Sequence, residues 1–374
     1  MPFCKAPFTS IYYHGWNRKI AFCCEQDRTS LNDSTIEQWW NSDSANQIRN
    51  QFNKGEWPDS CHRCRWQEEH GMTSLRSTFD NLTVTNRPVY IDYRPDNLCN
   101  LQCTMCGPDS SNLLEKLWKQ FPDVFGVYTD NTVQSFVADT DAQIKQIINT
   151  DTQMLKILGG EPTVNKKVHD VFKYCIDNGY SKHIDLKMTT NFTNLNSTYS
   201  LIEQFKSVRI VASIDATGST YEYIRQPARW HSVRDHLINF SERYKNDNKF
   251  KIALNCVWQP ASAFTVADWF PELTELFYKT LEINRSQINI IPADGGVGWA
   301  GIPVEYRTQI VNNLDSIQTE HTDLINSMKA ITQDYESYSD SAYKTFVQQI
   351  KTMDRYKGTD ITTLHPVWKQ LLSE

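Results

Sequence analysis

Three cysteines crowd one short segment, Asp96-Asn97-Leu98-Cys99-Asn100-Leu101-Gln102-Cys103-Thr104-Met105-Cys106, in a C-x3-C-x2-C spacing. Three thiolates on one loop can hold three irons of a cubane iron–sulfur cluster. The fourth iron is then left without a protein ligand and open to a small molecule. A structural zinc site, by contrast, closes with four ligands. Five more cysteines fall early in the chain, at Cys4, at the adjacent pair Cys23 and Cys24, and in Cys61-His62-Arg63-Cys64. Cys175 and Cys256 stand alone and read as small buried apolar residues. In a reducing compartment, cysteines grouped in this way are metal ligands or redox groups before they are disulfides.

Elements able to position these groups are visible from about residue 89 onward, where short apolar runs alternate with longer amphipathic segments. Val89–Tyr93 reads as a strand that delivers the tight cysteine group into the following loop. Ser111–Phe121 has helical spacing and stops at Pro122. A polar stretch at Tyr128–Val133 leads to a second helix ending before Thr150. Met154–Leu158, Ile184–Met188, Val208–Ile214, Lys251–Trp258 and Ile288–Ile291 are the further strands. A helix over Lys166–Asn178 ends at Gly179. Six strands with helices between them predict an α/β fold.

The expected organisation is a Cys- and Trp-rich module over residues 1–85, an α/β domain over 86–300, and a polar helical extension over 301–374. The formal charge is −6, with 38 Lys and Arg against 44 Asp and Glu, and the basic residues form no stripe. A dedicated nucleic-acid surface is therefore not expected. No window approaches the ~18–20 apolar residues of a membrane span, and no signal-peptide pattern opens the chain. The expectation is a cytoplasmic protein.

The cysteine triplet, placed in the loop after the first strand, resembles the signature of the radical S-adenosylmethionine (SAM) superfamily. Gly159-Gly160-Glu161-Pro162 after the next strand resembles that family's Gly-Gly-Glu motif, which binds the amino group of SAM. A side chain at Gly160 is accordingly expected to intrude on the methionine end of SAM. Ser213-Ile214-Asp215 resembles a Ser-Ile-Asp segment, making Ser213 a ribose or carboxylate contact. Arg225, in Tyr221-Glu222-Tyr223-Ile224-Arg225, corresponds to an arginine that pairs with the SAM carboxylate. Thr190-Asn191 resembles a turn lining the site, Asn255 a ribose-binding position, and Ile291 would pass the adenine. Met105 stands where many members carry an aromatic residue, and can itself pack on adenine.

The resemblance covers roughly residues 88–295 and implies a partial (β/α)6 barrel. It implies a [4Fe–4S] cluster on Cys99, Cys103 and Cys106, bound SAM, and a one-electron reductant such as flavodoxin or ferredoxin. Reductive cleavage of SAM would yield a 5′-deoxyadenosyl radical that abstracts hydrogen from a substrate. No side-chain general base is implied.

The N-terminal cysteines, with Pro7-Phe8, Trp39-Trp40-Asn41 and Phe52-x-x-Gly55, resemble the twitch domain, a shorter relative of the SPASM domain. That resemblance implies an auxiliary [4Fe–4S] cluster, although such domains usually follow the barrel. A four-thiolate zinc site and no metal at all are the alternatives. Cys4, Cys23 or Cys24, Cys61 and Cys64 are the ligands of either metal site. Neighbours in an extended segment point opposite ways, so one of Cys23 and Cys24 ligates, and Cys23 is preferred. The substrate implied is a peptide or protein side chain. The alternatives are a small-molecule or nucleotide-sugar dehydrogenase or epimerase, or an iron–sulfur binding protein without turnover.

Overall fold

The computed structural model describes residues 2–70, 73–126 and 140–373. The polar stretch expected at Tyr128–Val133 lies outside them. The chain forms two compact units. The first takes the described residues of Met1–Leu98, Thr129–Thr189 and Asn196–Arg209, and the second those of Cys99–Tyr128, Thr190–Leu195 and Ile210–Glu374. The units thus cut along different lines from the 1–85, 86–300 and 301–374 division: residues 1–85 lie within the first and 301–374 within the second.

In the first unit the strands are β1 (Ser10–His14), β2 (Lys19–Ala21), β3 (Thr29–Ser30), β4 (Tyr90–Arg94), β5 (Met154–Ile157) and β6 (Asp185–Thr190). Their order is β3-β2-β1-β4-β5-β6. β1 runs parallel to β4, β4 to β5 and β5 to β6, while β1–β2 and β2–β3 are antiparallel. The register aligns Ile11, Ile91, Leu155 and Leu186 in one row, and each is at most 1% exposed. The helix Lys166–Asp177 buries Val168, Val171, Phe172 and Cys175. Burial of such an aliphatic or aromatic side chain is worth about 1.5–3 kcal/mol. The opposite sheet face carries Tyr12, Asp92, Lys156 and Lys187 in register.

β1 and β2 depart from the poorly periodic module expected over residues 1–85. All five β1 residues are buried, so the strand shows no polar–apolar alternation to reveal it.

β7 (Ser207–Ser213) begins in the first unit and ends in the second, which also holds β8 (Phe250–Trp258) and β9 (Ile288–Pro292). β8 and β9 are parallel, with Asn255 opposite Asn289. Tryptophans form the core here: Trp258 stands 5.8 Å from Trp299 and 6.2 Å from Trp269 between ring centroids. The Trp258 indole N–H donates to Thr332 at 2.9 Å, tying the helix Thr322–Asp334 to β8. The remaining C-terminal helices, Val304–Ser316, Asp340–Lys357 and Val367–Leu371, complete this unit. Trp368 closes it against Phe264 at 5.1 Å and Phe346 at 6.1 Å.

Two glycines with left-handed backbones separate conformational from steric demand. Gly179 (φ +75°) ends the helix Lys166–Asp177 with open space at its Cβ position. Gly160 (φ +52°) would place a Cβ 2.1 Å from the Leu98 carbonyl oxygen. Gly179→Ala should therefore cost about 1 kcal/mol. Gly160→Ala should cost several times more, because backbone must move as well. Urea unfolding of both variants checks this; equal midpoints would refute the close approach.

Candidate functional site

Within the second unit the triplet loop is pinned at both ends and in its middle. The Cys99 N–H donates to Asn112 Oδ1 at 3.0 Å, and the Ser111 hydroxyl donates to the Leu101 carbonyl at 2.8 Å. Both partners sit at the start of the helix Asn112–Gln120. Gln102 N–H donates to the Gln226 carbonyl at 2.7 Å and Thr104 N–H to the Ile224 carbonyl at 2.9 Å. The loop therefore lies along the segment that carries Arg225. Leu101 N–H approaches Cys99 Sγ at 3.4 Å, a donor of the kind that stabilises thiolate bound to iron.

Arg225 is 6% and Asp215 0% exposed. Arg225 Nε donates to Asp215 Oδ2 at 2.7 Å and Nη2 to Oδ1 at 3.0 Å, a bidentate pair. Asp215 Oδ1 also accepts from the Val257 N–H at 2.8 Å. The third guanidinium nitrogen, Nη1, faces Cys103 Sγ at 3.8 Å. The resemblance implied an Arg225 contact with the SAM carboxylate; here two of its donors are held by Asp215 and one is directed at the cysteine. A hydrogen bond from Cys106, helped by the Arg225 charge, brings the Cys103 thiol down from its ordinary pKa. Its partner Cys106 is pushed well up.

Lys357, at the end of the helix Asp340–Lys357, supplies a second cation. Its Nζ is buried and has no hydrogen-bond partner among the described residues. Burial lowers its pKa to about 8, opposed by the charges of Cys103, Asp354 and Cys106. An unpaired buried ammonium facing two thiols is costly unless an anion joins it. Three thiols, one with an N–H donor, and two nearby cations suit a negatively charged iron–sulfur cluster.

The other positions singled out in this unit lie as follows. Asn191 Nδ2 donates to Asn100 Oδ1 at 2.9 Å, so the Thr190-Asn191 turn, itself buried, touches the triplet loop. Met105 and Ser213 are half-buried. Asn255 Oδ1 accepts from Asn289 Nδ2 at 2.9 Å, and Ile291 is 38% exposed. Cys256 is fully buried, its Sγ directed at the Asp215 carbonyl at 3.8 Å.

In the first unit Gly159 and Gly160 bring their backbone against Arg94, Asp96 and Leu98. Glu161 N–H donates to the Leu98 carbonyl at 2.8 Å, and Leu98 is the residue just before Cys99. The Glu161 carboxylate accepts from Thr163 N–H at 3.1 Å and from its hydroxyl at 2.8 Å. A side chain at Gly160 was expected to meet SAM; the first atoms it meets are the backbone of Leu98.

Cys4, Cys23, Cys61 and Cys64 line one cavity, together with Phe52, Trp57 and Phe79. Backbone N–H groups of Ala6 near Cys4, Glu25 near Cys23, and Leu75 and Arg76 near Cys64 favour the thiolates. Burial raises all four thiols, Cys4 and Cys61 to about 12. Cys24 is turned elsewhere, toward Lys156, Asp92 and Arg94. Among the described residues no three His, Cys, Asp or Glu side chains stand close enough to hold a single metal ion. A zinc ion draws four sulfurs to about 2.3 Å from one point, whereas a cubane spreads its ligands around a larger body.

Lys357 and Asn100 were not anticipated. Nothing local in a polar helical tail marks one lysine as buried, and Asn100 is an ordinary loop residue until its partner Asn191 is known.

No family model matches the chain, and no curated protein matches it. Among solved structures it is similar to Streptococcus suis SuiB bound to precursor peptide SuiA, with 14% identity and a TM-score of 0.40 over 87% of this chain and 70% of that one. It is similar to anSMEcpe with bound AdoMet, with 15% identity and a TM-score of 0.40 over 63% and 59%. It is also similar to TYW1 with a lysine-pyruvate adduct bound, with 14% identity and a TM-score of 0.33 over 73% and 89%.

The buried pair makes a direct prediction. Asp215→Asn leaves the Arg225 charge uncompensated and should destabilise the fold by about 3–5 kcal/mol, read as a lower urea midpoint. A midpoint equal to that of the parent would show that Arg225 has another counter-charge.

Proposed function

We propose that the chain is a radical SAM enzyme acting on a peptide or protein side chain. The observation that carries this reading is the loop Cys99–Cys106, in which Cys103 lies beside the buried Arg225 and the buried Lys357 Nζ feels Cys103 and Cys106. Cys99, Cys103 and Cys106 would hold a [4Fe–4S] cluster. Bound there with SAM, the cluster supplies reductive cleavage and a hydrogen-abstracting 5′-deoxyadenosyl radical. A one-electron donor such as flavodoxin or ferredoxin would feed it. The chain's own part is orientation and exclusion of water: Arg225 holds charge against Cys103, and the glycines of the 159–161 turn let backbone approach closely.

Cys4, Cys23, Cys61 and Cys64 would hold an auxiliary [4Fe–4S] cluster. That all four line one hollow supports a shared site, and the iron–sulfur supply implied by the triplet favours a cluster there over zinc. The twitch-like pattern of these residues supports a peptide or protein substrate over a small metabolite. Among the described residues no helix is long and apolar enough to cross a membrane, in keeping with a cytoplasmic enzyme.

Anaerobic reconstitution tests the reading. The intact chain should bind about eight irons, and replacing the triplet cysteines with Ala should leave about four. Cys23→Ala should also leave about four, whereas Cys24→Ala should keep all eight. Reduced protein with SAM should release 5′-deoxyadenosine, and only the triplet variant should abolish it. A chain that loads iron at the triplet yet leaves SAM intact would be an iron–sulfur protein without this chemistry.

A further inference from the structure

The polar face of the first unit has more positive charge than its own carboxylates can balance. Four strands in register place Tyr12, Asp92, Lys156 and Lys187 side by side. Lys156 Nζ donates to Asp92 Oδ2 at 2.6 Å, and Arg94 Nε lies 3.7 Å from Asp92 Oδ1. Asp92 is 3% exposed and is the carboxylate that this row itself contains. Lys187, half-buried, has no ion pair or hydrogen bond among the described residues; it feels Lys156 and Arg209, with Asp92 acting against them. Arg28 and Arg94 each stack on the Tyr12 ring, both 4.9 Å from its centroid. The Tyr12 hydroxyl is buried without a partner among the described residues.

We propose that this face binds an oxyanion of the substrate, a carboxylate or a phosphate, between Lys187, Lys156 and Arg94, with Arg28 at its exposed edge. One carboxylate, Asp92, is shared by Lys156, Arg94 and the more distant Lys187, and clustering of like charges at half-buried positions is unfavourable until an anion enters. Guanidinium and ammonium donors are the groups that recognise carboxylate and phosphate oxygens, and the Tyr12 hydroxyl adds a neutral donor at the β1 end of the row. The opposite parity of the same strands carries no charged residue, so this charge is confined to one side of the sheet. The identification of the anion as part of a substrate rests on the enzymatic reading above; the anion site itself does not.

The test uses the full-length, reconstituted chain without SAM, titrated with inorganic phosphate or succinate against sodium chloride of equal ionic strength. Wild type should gain thermal stability saturably, by about 3 °C. A response to phosphate alone assigns a phosphorylated substrate, and to succinate alone a carboxylate. Lys187→Met should weaken the responding anion about tenfold, the worth of one charge-assisted contact. The variant should melt no lower than wild type when no anion is added, since it deletes a cation without a partner. Lys182→Met, an exposed control in the same unit, should respond as wild type does. No response to either anion, or equal responses in wild type and Lys187→Met, would overturn the proposal. Failure of 5′-deoxyadenosine formation with anion binding intact would instead remove only the radical SAM reading.

Discussion

The buried pair between Asp215 and Arg225 governs the arrangement of the second unit. A carboxylate with no exposed surface is stable there because it accepts from a guanidinium fork and from the Val257 N–H together. Those three bonds tie the end of β7, the C-terminal end of β8 and the segment after Tyr221–Ile224 into one assembly. The triplet loop is hydrogen-bonded along that same segment, at Ile224 and Gln226. The position of Cys103 is thus set by a charge pair to which it does not belong. Lys357 adds a cation from a helix far away in sequence, so the thiols sit in a positive local field before anything binds them.

In the first unit, strand parity does comparable work. Parallel β1, β4, β5 and β6 in register sort every odd-and-even neighbour to one face or the other. One face takes Ile11, Ile91, Leu155 and Leu186, and the helix Lys166–Asp177 supplies apolar cover in the same unit. The other takes Tyr12, Asp92, Lys156 and Lys187. Cys23 and Cys24 divide in the same manner, one toward the thiol-lined cavity and one toward the charged row.

Much of this was legible in the chain before its structure. The six strands from Tyr90 to Pro292 stood out as apolar runs bounded by breakers, and Gly179 marked a helix end that the structure places within a residue or two. The grouping of cysteines into a triplet and an N-terminal set was equally plain. β1 was not legible, because Ser10-Ile11-Tyr12-Tyr13-His14 is buried on both faces and lacks alternation. The charged row was not legible either. Asp92, Lys156 and Lys187 each look like a single polar residue in its own strand, and only the register makes them neighbours. Lys357 belongs to the same class, its burial decided by tertiary packing that no local pattern encodes.

The face-sorting of β4, β5 and β6 also limits how this chain can change length over evolution. A single inserted or deleted residue within Tyr90–Arg94 would exchange Asp92 for Ile91 across the sheet, burying a charge among apolar side chains and stranding Lys156. Length changes in pairs would preserve parity but shift Lys156 away from Asp92. Divergence in length should therefore accumulate in the connections, such as the exposed turn at Lys245–Lys249 before β8. The strands themselves should keep their residue counts even where their sequences drift.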